Sequence, residues 1–229
     1  MTPNSKQPLT EQIYGRLHGD ILRAQLLPGQ TVLEADLAAQ FGVSKTPVRE
    51  ALRLLVQDGW VLVLPRKGYL IRPLGLDDLR EVFQLREMLE PGFAGEAAWR
   101  AARRLDDMEA VRQAVADQRS ARDDLDMALA SAAAFHIRIA TMGGNARAAR
   151  IIENLVHEVT RLHYLMPNLE SHINSKEELD AHDAIADAIE AGNQREASRA
   201  MRDHLRATDQ LLVEVFGVPR RLARSSAAR

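Results

Sequence analysis

Residues 44–53 read Ser44-Lys45-Thr46-Pro47-Val48-Arg49-Glu50-Ala51-Leu52-Arg53, and no other stretch of the chain is as informative. Thr46 followed by Pro47 marks a helix start: the threonine oxygen accepts an orphan backbone N–H, and proline at the first helical position gives up nothing. Val48, Ala51, Leu52, Leu55 and Val56 then keep an apolar stripe at helical spacing, and Gly59 ends it. Lys45, Arg49 and Arg53 stand at four-residue steps, so a line of positive charge runs along the other face. A helix glued to a body on one side and cationic at the opposite edge is shaped to enter a DNA major groove. The same pattern fits an amphipathic helix with a solvated basic face, so its surroundings must decide.

Working outward, Ile13, Leu17, Ile21 and Leu22 share one face of a predicted helix over residues 9–27, broken by Pro28-Gly29. A second helix is predicted at about Glu34 to Phe41, with Leu33, Leu37 and Ala38 facing inward, and Gly42-Val43 makes a short turn into the cationic helix. Downstream, Trp60 to Leu64 and Tyr69 to Arg72 are β-prone runs around Pro65-Arg66-Lys67-Gly68, a hairpin with a basic tip. Helix, helix-turn-helix and a two-stranded wing make residues 1–72 a winged-helix DNA-binding domain.

Pro73 and Gly75 mark a linker at 73–75. Beyond it six amphipathic helices can be drawn, at about 76–102, 105–121, 124–142, 145–166, 175–191 and 193–216, with breaks at Gly143-Gly144, Pro167-Asn168 and Gly192-Asn193. Helices of this length with short connections imply an all-α antiparallel bundle over 76–216, and a mainly α protein. The tail, 217–229, carries four arginines with little to bury and is expected to be disordered.

Charge separates the two halves. Residues 1–72 carry nine Lys/Arg against six Asp/Glu, whereas the remainder carries 21 against 26. A basic first third on an acidic remainder suits a DNA-binding module joined to one that does not bind DNA. There is no cysteine among the 229 residues, so disulfides and thiolate metal sites are excluded. No signal peptide follows the first methionine and no apolar run could span a bilayer, so a cytoplasmic protein without a membrane partner is expected.

The chain resembles the GntR family of bacterial transcription regulators, in its FadR-like branch with the all-helical FCD effector domain. The resemblance rests on Leu27-Pro28-Gly29, Leu33-Glu34-x-x-Leu37-Ala38, Phe41 through Leu52 and Asp58-Gly59-Trp60 in the first domain. Across 77–207 it rests on Leu85-Arg86-x-x-Leu89-Glu90-Pro91, Phe135-His136, Gly144-Asn145, His182 and His204. Six helices look more like the VanR-type subgroup than the seven-helix FadR type. Two positions depart from the pattern: Lys45 stands where arginine is usual, and Ala35 where some members have arginine. Lysine keeps the charge but loses the bidentate fork for guanine.

FCD domains commonly hold a divalent metal, often zinc, on three histidines and one aspartate. His136, His182 and His204 match the histidine positions, each on a different predicted helix, but Ala132 occupies the carboxylate position one turn before Phe135-His136. Three neutral imidazoles can still bind Zn²⁺ with water or an effector carboxylate in the fourth place. The alternatives are histidines that bind the effector directly or merely pack. Asp183 beside His182 points elsewhere on an ideal helix. His18, His157, His163 and His172 match no ligand position and read as structural or exposed. Arg86 sits where FCD members often aim an arginine at the effector; the alternative is an exposed arginine paired with Glu90 four residues on. Arg161 is a second effector-binding candidate.

The resemblance therefore implies a homodimeric, ligand-responsive repressor. Arg49 and Lys45 would read base edges, Ser44 and Thr46 would hold phosphates, and Arg53 would be a phosphate contact or a solvated end. The wing tip, Arg66-Lys67-Gly68, would reach the minor groove, its glycine allowing close backbone approach. Two-fold symmetry implies a palindromic operator. The expected effector is a small carboxylate, an organic acid from catabolism, met by Arg86, His136, Arg161, His182 and His204. A rival reading is a metal-dependent enzyme using the three histidines, but the missing carboxylate leaves it without a general base beside the metal.

Overall fold

The computed structural model describes residues 7–105, 108–121, 124–166 and 169–217. Its first domain runs α1 (Leu9–Leu22), β1 (Thr31–Val32), α2 (Glu34–Phe41), α3 (Lys45–Gln57), β2 (Val61–Leu64) and β3 (Gly68–Ile71). Ile13, Leu17 and Ile21 of α1, Leu37 of α2, and Val48, Leu52 and Leu55 of α3 close on Trp60, Val61 and Ile71 to form one buried core. Each such aliphatic side chain, fully buried, contributes roughly 1.5–3 kcal/mol. That core leaves the opposite edge of α3 to solvent.

Four local expectations are corrected. Ser44, not Thr46, is the N-cap of α3, so Thr46 and Pro47 occupy the second and third helical positions. Proline loses nothing there either, because the first-turn N–H groups have no partner inside the helix. Helix α1 stops at Leu22 rather than Leu27: Ala24 takes φ 53°, and the N–H groups of Gln25 and Leu26 both return to the Asp20 carbonyl, at 2.8 and 3.0 Å. Leu33 is 44% exposed and so faces away from the core. Finally, the wing has a third strand. β1 pairs with β3 (Val32 opposite Tyr69), giving the order β1-β3-β2. At Gly68, φ is +97° and a Cβ would stand 2.5 Å from the Val32 carbonyl oxygen, so packing within the domain already demands glycine there.

The second domain comprises α4 (Leu76–Ala101), α5 (Glu109–Ser120), α6 (Leu125–Met142), α7 (Ala146–Leu165), α8 (Glu170–Ile173), α9 (Lys176–Glu190) and α10 (Gln194–Gly217). The six long helices are those expected, with ends moved by a few residues; the four-residue α8 is an addition. Helices α4 and α10 pack closely because Gly95 has no Cβ to meet Ser198 Oγ, which would stand 2.7 Å away. The Asp124 and Asn145 side chains cap α6 and α7. The Pro167-Asn168 break, and the tail beyond Gly217, lie outside the described residues. No helix among the described residues is long and apolar enough to cross a membrane.

Several contacts between described residues join the domains, and three of them are specific. The rings of His18 (α1) and His157 (α7) lie 5.3 Å apart, Arg23 Nε is 3.6 Å from Asp126 of α6, and Arg161 of α7 donates from Nη1 to the Arg72 carbonyl at 3.2 Å.

Candidate nucleic-acid interface and histidine cluster

Because the core takes Val48, Ala51, Leu52 and Leu55, the register of α3 turns Lys45, Arg49 and Arg53 outward. Ser44, Lys45, Thr46, Arg49 and Arg53 are exposed, as are Arg66 and Lys67 at the wing tip, where Gly68 is half-buried. Arg49 is already engaged. Its Nε donates to Glu34 Oε1 and Oε2 at 3.1 and 3.0 Å, and its Nη2 to Oε2 at 2.8 Å. Tyr69 Oη donates to Glu34 Oε1 at 3.0 Å, so α2, α3 and β3 meet at one carboxylate. The hydrogen bond from Arg49 is the main cause holding Glu34 below the ordinary carboxylate range. Arg53 donates to Glu50 at 2.7 Å within its own helix.

In the bundle, α6, α9 and α10 bring His136, His182 and His204 together, each buried, with one ring nitrogen from each lying within 4.8 Å of the others. Outer partners orient two of the rings. Gln118 Nε2 donates to the Ile173 carbonyl at 2.6 Å, which leaves Gln118 Oε1 to accept from His182 Nδ1 at 2.8 Å. His182 Nε2 therefore carries a lone pair, and this buried atom has no hydrogen-bond partner. His136 Nδ1 donates to Glu90 Oε2 at 2.7 Å, turning its Nε2 to His204 Nε2, 3.4 Å away. Burial, opposed by Glu178, keeps His182 well below its ordinary pKa and brings His204 down to about 4, so both rings are neutral at pH 7. Inward-facing imidazoles, two of them with hydrogen-bonded outer nitrogens, suit a divalent ion such as Zn²⁺. The donor set fits.

Arg86 is buried rather than exposed, and it does pair with Glu90: Nε donates to Oε1 at 2.5 Å. Burial alone would push the Glu90 carboxyl up, but Arg86 and His136 hold it well below the ordinary range. Arg86, Ala132, His136, His163, Glu178 and His204 help to line a cavity of about 30 Å³. At roughly 10–15 Å³ of such space per water, that is room for an ion and little more. Arg161 does not join them. It is fully buried at the domain junction, where Nε and Nη2 lack partners and burial lowers its pKa to about 10.

Four contacts at these sites escape the sequence reading: Glu34 with Arg49, Glu90 with His136, Gln118 with His182, and Glu178 with the histidines. The first three act across helices, which spacing does not reveal. Glu178 did leave a signal, standing four residues before His182 on one helix face. His163, read as structural or exposed, is buried and borders the cavity, its Nδ1 donating to the Val159 carbonyl at 3.0 Å.

Residues 9–71 match the family described as "Bacterial regulatory proteins, gntR family", and residues 81–207 match the FCD domain. The "HTH-type transcriptional repressor RspR" of Escherichia coli K12 is 27% identical over 217 residues, covering 93% of this chain and 92% of that protein. The "Probable D-xylose utilization operon transcriptional repressor" of Paenarthrobacter nicotinovorans is 31% identical over 189 residues, 82% of this chain and 81% of that protein. Among solved structures, E. coli McbR/YncC superposes with a TM-score of 0.77 at 22% identity, covering 91% of this chain and 98% of that one; at this identity the likeness speaks to fold.

Proposed function

We propose that this chain, which belongs to the GntR family of bacterial regulatory proteins and carries an FCD domain, is a homodimeric repressor of a catabolic operon that senses a small organic acid. That it is a DNA-binding transcription regulator, and not an enzyme, follows from the family itself. The observation that carries the finer reading is the outward line of Lys45, Arg49 and Arg53 on a helix whose other face is locked into the core. Arg49 and Lys45 read base edges, Ser44 and Thr46 hold phosphates, and Arg66 and Lys67 reach the minor groove. Two copies related by a two-fold axis, joined through their bundles, would bind a palindrome. The relative from P. nicotinovorans, named for a sugar-utilization operon, supports a catabolic target.

His136, His182 and His204 hold the metal. When bound, a divalent ion supplies fixed positive charge beside Arg86, which an anionic ligand can meet. A cavity of about 30 Å³ admits no organic acid without moving its walls. One of those walls is α7, through Val156, Val159 and Thr160, and the adjacent Arg161 holds the Arg72 carbonyl at the end of the first domain. Displacement of α7 by the ligand thus bears directly on the placement of the winged helix. Only a ligand with different affinities for the two placements shifts their balance.

The test combines DNA and ligand. Fragments flanking the gene should be protected from nuclease by the purified protein, and one of a panel of small carboxylates should lift that protection. His204→Ala should blunt the response to the acid more than it affects DNA binding. Protection that no acid alters removes the sensor reading.

A further inference from the structure

The aspartate position is empty of charge at Ala132, yet the histidine cluster does have a carboxylate beside it. Glu178, 6% exposed, lies one turn before His182 on α9. Its Oε1 is 3.5 Å from His182 Nε2; its Oε2 is 3.7 Å from His204 Nδ1 and 3.3 Å from His172 Nε2.

Local structure makes the placement informative. Ser175-x-x-Glu178 is the pattern of a capping box, in which the glutamate would turn back to the N-cap N–H. Half of the box forms: Ser175 Oγ accepts from the Glu178 N–H at 3.1 Å. The other half is pre-empted, because the Ser175 N–H donates to the His172 carbonyl at 2.8 Å. The Glu178 side chain is thereby freed from the helix end and turned into the bundle. A departure from a local rule at a buried carboxylate is expected where function requires it.

Two edges of the cluster have the spacing of ligation. In a tetrahedral site with bonds of about 2.0–2.1 Å, neighbouring ligand atoms stand about 3.3–3.4 Å apart. The His136–His204 separation, 3.4 Å, and the Glu178–His182 separation, 3.5 Å, are both edges of that size. The Glu178–His182 pair shares no hydrogen bond, since His182 Nε2 has no partner. Two acceptors that close, buried and without a proton between them, call for a cation.

We propose that Glu178 is the anionic metal ligand of this chain, supplied from α9 in place of the carboxylate that position 132 lacks. The inference rests on the metal reading above and adds to it the fourth ligand and the charge balance. The site then holds three neutral nitrogens and one anionic oxygen, with the carboxylate approaching from a different helix. Ala132, small and lining the cavity, leaves open the side an aspartate would have filled.

Full-length untagged protein and its Glu178→Gln variant should be titrated with zinc against a chromophoric chelator, and loaded with Co²⁺ for visible absorption. The wild type should bind one ion. Glu178→Gln should bind at least about 10–100-fold more weakly, the loss expected even for an outer partner, and its cobalt bands should move. Ala132→Asp added to Glu178→Gln should recover affinity. Unchanged affinity and bands in Glu178→Gln overturn the assignment while leaving the three-histidine site. Weaker binding with unchanged bands overturns it too, placing Glu178 behind His204 instead. No binding by the wild type removes both readings. Should Glu178→Gln not fold, judged by its melting in chelator, Glu178→Asp takes its place, with the same outcomes.

Discussion

Arg49 and Glu34 form a three-bond fork between the third and second helices, with contacts of 3.1, 3.0 and 2.8 Å, on the exposed face proposed to meet DNA. An arginine so held has one orientation rather than many, which reduces the side-chain entropy lost when it meets a base. In a complex with DNA the same carboxylate would place a negative charge near the phosphates.

Glu34 should therefore trade affinity for discrimination. Glu34→Gln is expected to strengthen binding to random DNA at low salt and to shrink the ratio of specific to random affinity. Fluorescence anisotropy at two salt concentrations measures both. A variant with an unchanged ratio contradicts the orienting role.

Gln118 should matter for the metal without touching it. It fixes the His182 ring from behind, so Gln118→Leu is expected to weaken zinc binding about 10–100-fold and to leave the helical content intact. Chelator competition and circular dichroism are the readouts. Equal affinity in the variant argues that His182 needs no orienting partner.

The domain junction should be acid-sensitive. Burial, then His157, brings His18 down from 6.5 to about 4, with Asp58 opposing; Tyr14 and Trp60 lie against the ring, and Glu153, Arg147 and Arg150 line the same cleft. Above pH 6.5 the ring is neutral folded or unfolded, and its contribution is complete. As the pH falls from 6.5 towards 4, the unfolded chain takes up a proton that the folded one refuses. Stability is then lost, on the order of 2–3 kcal/mol by the lower limit. Urea unfolding at pH 7.5 and pH 5 should show a smaller loss in His18→Gln than in the wild type. Equal losses contradict the assignment.

Most of the helices are legible in the chain because an apolar stripe repeats at helical spacing between turn residues. Lys45 to Gln57, with Val48, Ala51, Leu52 and Leu55 inward, is an instance; α4 is read instead from its length between breaks, since its buried face includes Arg86 and Glu90. β1 is two residues long, too short to show alternation, and exists only because β3 lies beside it. α8, four residues long, is equally silent. The three histidines could be marked from a resemblance, but their outer partners could not: Glu90 and Gln118 lie 46 and 64 residues from the rings they orient. The burial of Arg86 was hidden for a related reason, since an i, i+4 pair with Glu90 looks the same on a surface as in a core. Glu178 was masked by its own neighbourhood, where the Ser175-x-x-Glu178 spacing reads first as a helix cap.

The recognition role of α3 is open to one direct measurement, nuclease footprinting of the wild type and Arg49→Ala on DNA from the gene's own locus, with circular dichroism to confirm that both fold. The wild type should protect a short palindrome, and Arg49→Ala should lose that protection while keeping its helical signal. Protection of the same site, at the same concentration, by a folded Arg49→Ala protein would contradict the assignment of α3 as the helix that reads DNA.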